Sequence, residues 1–215
     1  MSEFGKPPSA RLNELLAASH LKPLEPETAE RFADYCALLL RWSARMSLTA
    51  VRSEDGVLSR HFVESIACAQ ALPTGIATLL DLGSGAGFPG IPIALCRAEI
   101  EVTLAESQGK KAAFLQEAVR TLGLSSKIHP GRAETLVEHF DCVTLRAVDR
   151  MPDAVRVATR LVGSNGWLAI MSTESELQNI KGPIGARISW RGPLPLPGSD
   201  RRVLALGQQA FSLPA

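Results

Sequence analysis

The stretch LLDLGSGAGFPGIPIAL, Leu79 to Leu95, carries Gly83, Gly85 and Gly87 after Asp81. Overlapping it are Gly85, Gly87 and Gly90, which fit the G-x-G-x-x-G spacing of a dinucleotide loop. Glycines in this pattern can take positive φ and let the backbone approach a ligand closely. A dinucleotide loop starts at the strand end and aims a helix N-terminus at a pyrophosphate. Here Asp81 and Leu82 lead into Gly83, while Pro89 and Pro92 occupy the start of the helix. A carboxylate before the loop suits a cationic amino-acid portion, reached directly or through water, and repels a pyrophosphate. S-adenosylmethionine carries an ammonium and a sulfonium and no phosphate, so charge favours it as the cofactor. Glu106, placed to accept hydrogen bonds from both ribose hydroxyls, supports an adenosine ligand without choosing between the two.

Other chemistry is missing. No Ser-His-Asp pattern, paired carboxylates or metal cluster emerges. The four cysteines (Cys36, Cys68, Cys96 and Cys142) are dispersed among apolar neighbours and read as buried thiols of a reducing compartment. Arg146 and Arg132 follow predicted strands on the ligand side. Arg41, Arg45, Arg52, Arg60 and His61 concentrate positive charge upstream, with Lys110 and Lys111 after Glu106. These form either a phosphate-contacting rim or solvated faces paired with Glu54, Asp55 and Glu64. His61, near the apolar stripe of its helix, reads as structural, and Trp42 as a boundary tryptophan packing the helical layer rather than a base-stacking platform.

The elements that position these residues follow from periodicity. Phe32, Tyr35, Cys36 and Leu39 recur at helical spacing, as do Leu58, Phe62 and Ile66, punctuated by Pro26 and Pro73. Residues 1–72 are therefore an N-terminal helical layer packed on a core formed by 73–215. In that core, strands over Ile76–Leu82, Glu101–Glu106, Lys127–His129, Cys142–Leu145 and Trp167–Met171 alternate with helices over Phe88–Arg97, Lys110–Leu122 and Pro152–Leu161. This alternation predicts an α/β fold with a mostly parallel sheet. Arg187–Arg191 and Arg202–Leu206 flank GPLPLPGSD without room for a helix, so they should pair as a C-terminal antiparallel hairpin at the sheet edge.

Bulk properties narrow the class. At 215 residues, 46% hydrophobic and 21% charged, the chain is an ordinary globular protein. Its 23 Lys plus Arg against 22 Asp plus Glu leave a net charge of +1, so a polyanion partner would need a local patch. No apolar run approaches a membrane span, and the start MSEFGKPPSARL lacks a signal pattern. The expected setting is cytoplasmic, and the expected state a monomer without metal.

The stretches RWSARMSLTAVR, RHFVESI, LLDLGSGAGFPGIPIAL, TLAESQGKKAAFL, GRAE and LRAV make the chain resemble the bacterial small-subunit rRNA guanine-N7 methyltransferase family, of the RsmG or GidB type. That resemblance implies a class I (Rossmann-like) methyltransferase that uses S-adenosyl-L-methionine to methylate N7 of one guanosine in 16S rRNA. It assigns Gly83 and Phe88 to the cofactor pocket, Glu106 to the ribose, Ala133 and Glu134 to the adenine side, and Arg146 to the active site; Arg132 matches a further arginine of the family. With Asp81, Gly85 and Gly87 these complete the expected site. Two departures stand out: Trp42-Ser43 and Ser47-Leu48-Thr49 replace the usual Trp-Asn and Asn-Leu-Thr, and Met171 or Ser172 replaces a lysine after the fifth strand. The reaction would need no general base, because N7 carries a lone pair and no proton. Rival readings are a methyltransferase for another substrate, a nicotinamide-dependent oxidoreductase, and a non-catalytic nucleotide-binding RNA chaperone.

Overall fold

A computed structural model describes residues 6–148, 150–184, 188–199 and 201–210, with the side chains of 181–184 left aside. Helix α1 (Pro8–Ala18) and helix α2 (Pro26–Ser43) each begin with proline in the first turn, where its missing N–H costs nothing. The apolar stripe of α2 buries Phe32, Tyr35, Cys36 and Leu39 as the spacing predicts. A third helical stretch is built from α3 (Glu54–Gly56), a π-helical turn (Val57–Phe62) and α4 (Val63–Ala71). Ser53 caps it by accepting from the Gly56 N–H.

The sheet follows. Strands β1 (Thr78–Leu82), β2 (Glu101–Ala105), β3 (Lys127–His129), β4 (Phe140–Arg146) and β5 (Val162–Thr173) are parallel. Helices α5 (Gly90–Cys96), α6 (Gly109–Thr121) and α7 (Met151–Leu161) connect them. Short β6 (Ile188–Trp190) and β7 (Leu194–Pro195) both pair antiparallel with β8 (Arg202–Gln209). The spatial order is β3-β2-β1-β4-β5-β8-β6, with β7 off this path against β8. The order reverses between β1 and β4, the switch point at which open α/β sheets place ligands.

The antiparallel C-terminal hairpin lies at the sheet edge as expected, with β6 outermost and β8 inside it between β5 and β6. The β8 run Val203–Gly207 is buried, which an edge position would not need. Arg187 and Asp200, within or beside the expected hairpin, lie outside the described residues, as do Met1–Gly5 of the starting segment and Asp149. Sequence periodicity misses helix α8 (Glu174–Ile184). Its start carries a capping box, in which Thr173 Oγ1 accepts from the Glu176 N–H at 3.3 Å and Glu176 Oε2 accepts from the Thr173 N–H at 3.4 Å.

One apolar cluster joins the helical layer to the sheet, running from Leu12, Phe32 and Phe62 through Ile91 and Phe114 to Leu79, Val102 and Ala169. A second fills the opposite face between the sheet, α7 and α8. Tyr35 marks the seam. Its ring stacks on Phe62 at 5.2 Å, and its hydroxyl donates to the Ala86 carbonyl of the glycine turn at 2.5 Å.

Candidate cofactor and acceptor cleft

The carboxyl ends of β1, β2 and β4 open into a cleft of about 640 Å3. Along its floor runs the glycine turn, with Gly83 and Gly85 on the wall at φ +72° and +57°. A Cβ at Gly83 would meet Val148 at 3.2 Å, so substitution there adds crowding to backbone strain. The other two glycines serve packing. Gly87, at φ +90°, is buried, and a Cβ there would lie 2.7 Å from the Tyr35 hydroxyl and 2.5 Å from Ile91. At Gly90 a Cβ would lie 2.7 Å from Asp81 Oδ2. Close approach of α2 and of β1 thus explains the second glycine pattern without a pyrophosphate.

Asp81 corrects the sequence argument. It is fully buried beneath the turn and does not reach the cleft wall. Its Oδ2 accepts from the Gly90 N–H at 3.1 Å, and its Oδ1 from the Thr144 hydroxyl at 2.9 Å. The carboxylate therefore fastens the start of α5 to β1 and β4. Burial pushes its pKa up to about 6, against the pull of the Thr144, Gly90 and Ser84 bonds. Nor is the mouth acidic. Arg60, Lys111, Arg132, Arg146, Arg150 and Arg202 line the cleft against Glu106, Glu134 and Asp153.

Glu106 follows β2, is buried, and borders the cleft. Its Oε2 accepts from the Gly85 N–H at 2.9 Å and its Oε1 from the Gln108 N–H at 2.7 Å. Each oxygen keeps further acceptor capacity, so a fixed carboxylate stands ready for a vicinal diol. Ala133 and Glu134, in a 3₁₀ turn (Ala133–Thr135), line the same side, with Arg132 exposed beside them. Phe88 closes the floor, sandwiched between the His61 ring at 4.8 Å and the Tyr35 ring at 5.5 Å.

Arg146 ends β4 with its side chain 4% exposed. Its partner is Glu64 on α4, with Nη2 2.7 Å from Oε2. The guanidinium also donates to Ser65 Oγ at 3.3 Å, to the Arg60 carbonyl at 3.3 Å and to His61 Nδ1 at 3.1 Å, and lies 5.6 Å from the Phe88 ring centroid. Because an arginine only donates, His61 Nδ1 is an acceptor. Its Nε2–H then donates to Thr49 Oγ1 at 2.7 Å. Burial and the neighbouring arginines lower the His61 pKa to about 3, so the ring is neutral and structural, as the sequence suggests. Burial also lowers Arg146 to about 10, leaving it charged at neutral pH.

The remaining candidates disperse. Arg41 pairs with Glu117 at 2.6 Å, and Arg52 donates to the Ser43 carbonyl at 2.8 Å, so neither is a free rim charge. Trp42 packs edge-on against Phe114 and donates to Glu117 at 3.1 Å, a boundary tryptophan. Asp141 is a structural acceptor for the Ala77 and Thr78 N–H groups at 2.9 Å each. Cys36, Cys68 and Cys142 are buried and Cys96 is half-buried; all four are free thiols. Among the described residues no cluster of His, Cys, Asp or Glu could hold a metal, and no helix is long and apolar enough to cross a membrane. Sequence reasoning left Arg202 as a strand residue. Its signal was topological, since the first residue of a strand antiparallel to β5 lies at the carboxyl ends.

A sheet of this order with its ligand cleft at the β1/β4 reversal defines the class I methyltransferase fold. Solved methyltransferases share it: one from Pyrococcus furiosus (12% identity, TM-score 0.60, 70% of this chain and 83% of that one) and a SAM-dependent one from Aquifex aeolicus (16% identity, TM-score 0.58, 72% and 93%). Residues 28–184 match the GidB family, described as rRNA small subunit methyltransferase G, and the chain belongs to that family. Similar relatives carry the name ribosomal RNA small subunit methyltransferase G. That of Stenotrophomonas maltophilia strain R551-3 is 39% identical over 206 residues (92% of this chain, 94% of the relative). That of Roseiflexus sp. strain RS-1 is 35% identical over 196 residues (85% and 84%).

Proposed function

We propose that this protein transfers the methyl group of S-adenosyl-L-methionine to N7 of a specific guanosine in 16S rRNA. The observation that carries the reading is Glu106, bonded to the Gly85 and Gln108 N–H groups beside a positive-φ glycine turn, in a chain of this family. The cleft fits the cofactor. Gly83 leaves the wall bare where a side chain would crowd Val148, and Glu106 presents oxygens fixed by the Gly85 and Gln108 N–H groups that a ribose diol could reach. Ala133 and Glu134 would flank the adenine, and Phe88 the middle of the ligand. When bound, the cofactor supplies an electrophilic methyl on a sulfonium.

The chain's own residues then have only to orient and shield. N7 has a lone pair and no proton, so no side chain needs to act as base, and alignment alone can supply on the order of 7–11 kcal/mol. Arg146, fixed by four partners, holds its charge at one place beside Phe88. That position suits contact with the cofactor or an RNA backbone better than with guanine O6 and N7, where it would compete with the methyl group. Arg132 borders the opening and extends this role outward.

Arg45 and Lys110, together with the cleft-lining Arg60 and Lys111, are the proposed RNA-facing charges. The working assembly is a cytoplasmic monomer acting on 16S rRNA or the small subunit, with residues 1–72 as a layer on the 73–215 core. The test is incubation with labelled S-adenosylmethionine and unmodified 16S rRNA, then chemical cleavage at N7-methylguanosine. Transfer to one site supports the reading; label elsewhere, or none, overturns it.

A further inference from the structure

Two arginines converge on one carboxylate. Glu64 is 1% exposed, and its Oε2 accepts from Arg146 Nη2 at 2.7 Å and from Arg202 Nη1 at 3.0 Å, while its Oε1 accepts from Arg202 Nη1 at 3.2 Å. Arg60, exposed, also lines the cleft, and its carbonyl accepts from Arg146. His61, between them, is neutral and contributes no charge. Glu64 and, on the exposed side, Glu176 face Arg146, Arg202 and the exposed Arg60, so this wall of the cleft is net positive. A net positive wall with a free arginine edge favours an anionic ligand.

The geometry says which arginine remains available. Arg146, 4% exposed, is held in the protein by Glu64, Ser65, His61 and the Arg60 carbonyl, and its burial keeps it from an incoming strand. Arg202 is 22% exposed and gives only Nη1 to Glu64, so its Nε and Nη2 hydrogens retain donor capacity at the cleft. The register pairs Arg202 with Thr173, so it stands at the carboxyl end of β5, on the opposite side of the switch point from Glu106. There the end of β5 itself offers Met171 and Ser172, both buried and uncharged.

We propose that Arg202, held by Glu64 and joined by Arg60, forms a phosphodiester-binding subsite on the acceptor side of the cleft. Its ligand is a backbone phosphate of the RNA strand beside the target guanosine, so the inference rests on the rRNA reading above. Glu64 acts as a positioning residue that sets the arginine fork without touching RNA. The carboxylate of the cofactor is the competing anion, but the wall that fits the ribose is the Gly85 and Glu106 side, across the sheet from Arg202.

The test measures binding rather than turnover. Affinity of the full chain for a 16S rRNA fragment is measured by filter binding at several salt concentrations, and cofactor affinity by calorimetry, for wild type, Arg202→Gln and Arg202→Lys. For Arg202→Gln the expected result is about tenfold weaker RNA binding and a salt slope shallower by roughly 0.7–0.9, the loss of one phosphate contact. Cofactor affinity should stay within about twofold, and Arg202→Lys should restore the slope. A merely structural arginine would lower thermal stability and leave the slope unchanged, which overturns the proposal. Weakened cofactor binding with normal RNA binding also overturns it, assigning the cluster to the cofactor carboxylate. If wild type binds RNA with this slope dependence yet transfers no methyl group, the subsite stands and the methylation reading falls.

Discussion

The Glu64 carboxylate on α4 and the Arg146 guanidinium at the end of β4 lie 2.7 Å apart, and both side chains are almost wholly removed from water. This pair stitches the helical layer to the strand that borders the ligand cleft. Removing one member strands the other charge. Glu64→Gln should therefore cost about 3–5 kcal/mol of stability, read by urea unfolding. A loss below about 1 kcal/mol would mean that water reaches the pair.

Arg146→Ala removes the group that Phe88, His61, Ser65 and Glu64 surround. Methyl transfer should fall at least 100-fold. Circular dichroism and cofactor calorimetry separate lost folding from lost chemistry. A folded variant with wild-type turnover would remove Arg146 from the site.

Gly87→Ala forces a Cβ at φ +90° to within 2.7 Å of the Tyr35 hydroxyl. The variant should lose roughly 2–4 kcal/mol by strain and overpacking together. Truncating the obstacle as Tyr35→Phe should partly rescue it. Stability measured as a double-mutant cycle checks the coupling; additive losses would show that the two positions do not interact.

Asp81 carries a pH signature. Its folded pKa, about 6, lies above the ordinary carboxylate value, so between pH 4 and 6 the folded chain binds a proton that the unfolded chain has released. That contribution is fully present below about pH 4 and lost as pH rises through 6. Relative to Asp81→Asn, wild type should lose stability across this window. His61 acts in the reverse sense. With its folded pKa at about 3, the unfolded chain alone takes a proton below about pH 6.5, and stability falls as pH drops toward 3. Thermal unfolding of wild type, Asp81→Asn and His61→Gln between pH 4 and 7 separates the two; parallel curves would refute both assignments.

Strand β3 was legible to the residue, because Lys127–His129 is a short run between turn signals. Helix α2 was legible from its stripe, and the place of Gly83, Gly85 and Phe88 at the cleft from the glycine block, with that of Glu106 from the end of the second strand. What escaped depends on distance in sequence. Asp81 sits in the right motif, yet only the packing of α5 and β4 shows that its carboxylate faces inward. Glu64 and Arg202, 138 residues apart, meet only after the terminal strand folds back beside β5. Helix α8 was missed for a different reason: its cap signal, Thr173 and Glu176, was present but follows a strand without a break.

The Tyr35 bond to the Ala86 carbonyl binds the first 70 or so residues to the very loop that frames the ligand. Together with Phe62 and Phe88 packed around it, this fastening couples the upstream helices to the pocket. The consequence is mechanical: a disturbance of α2, even one far from the cleft, is transmitted to the turn through that bond.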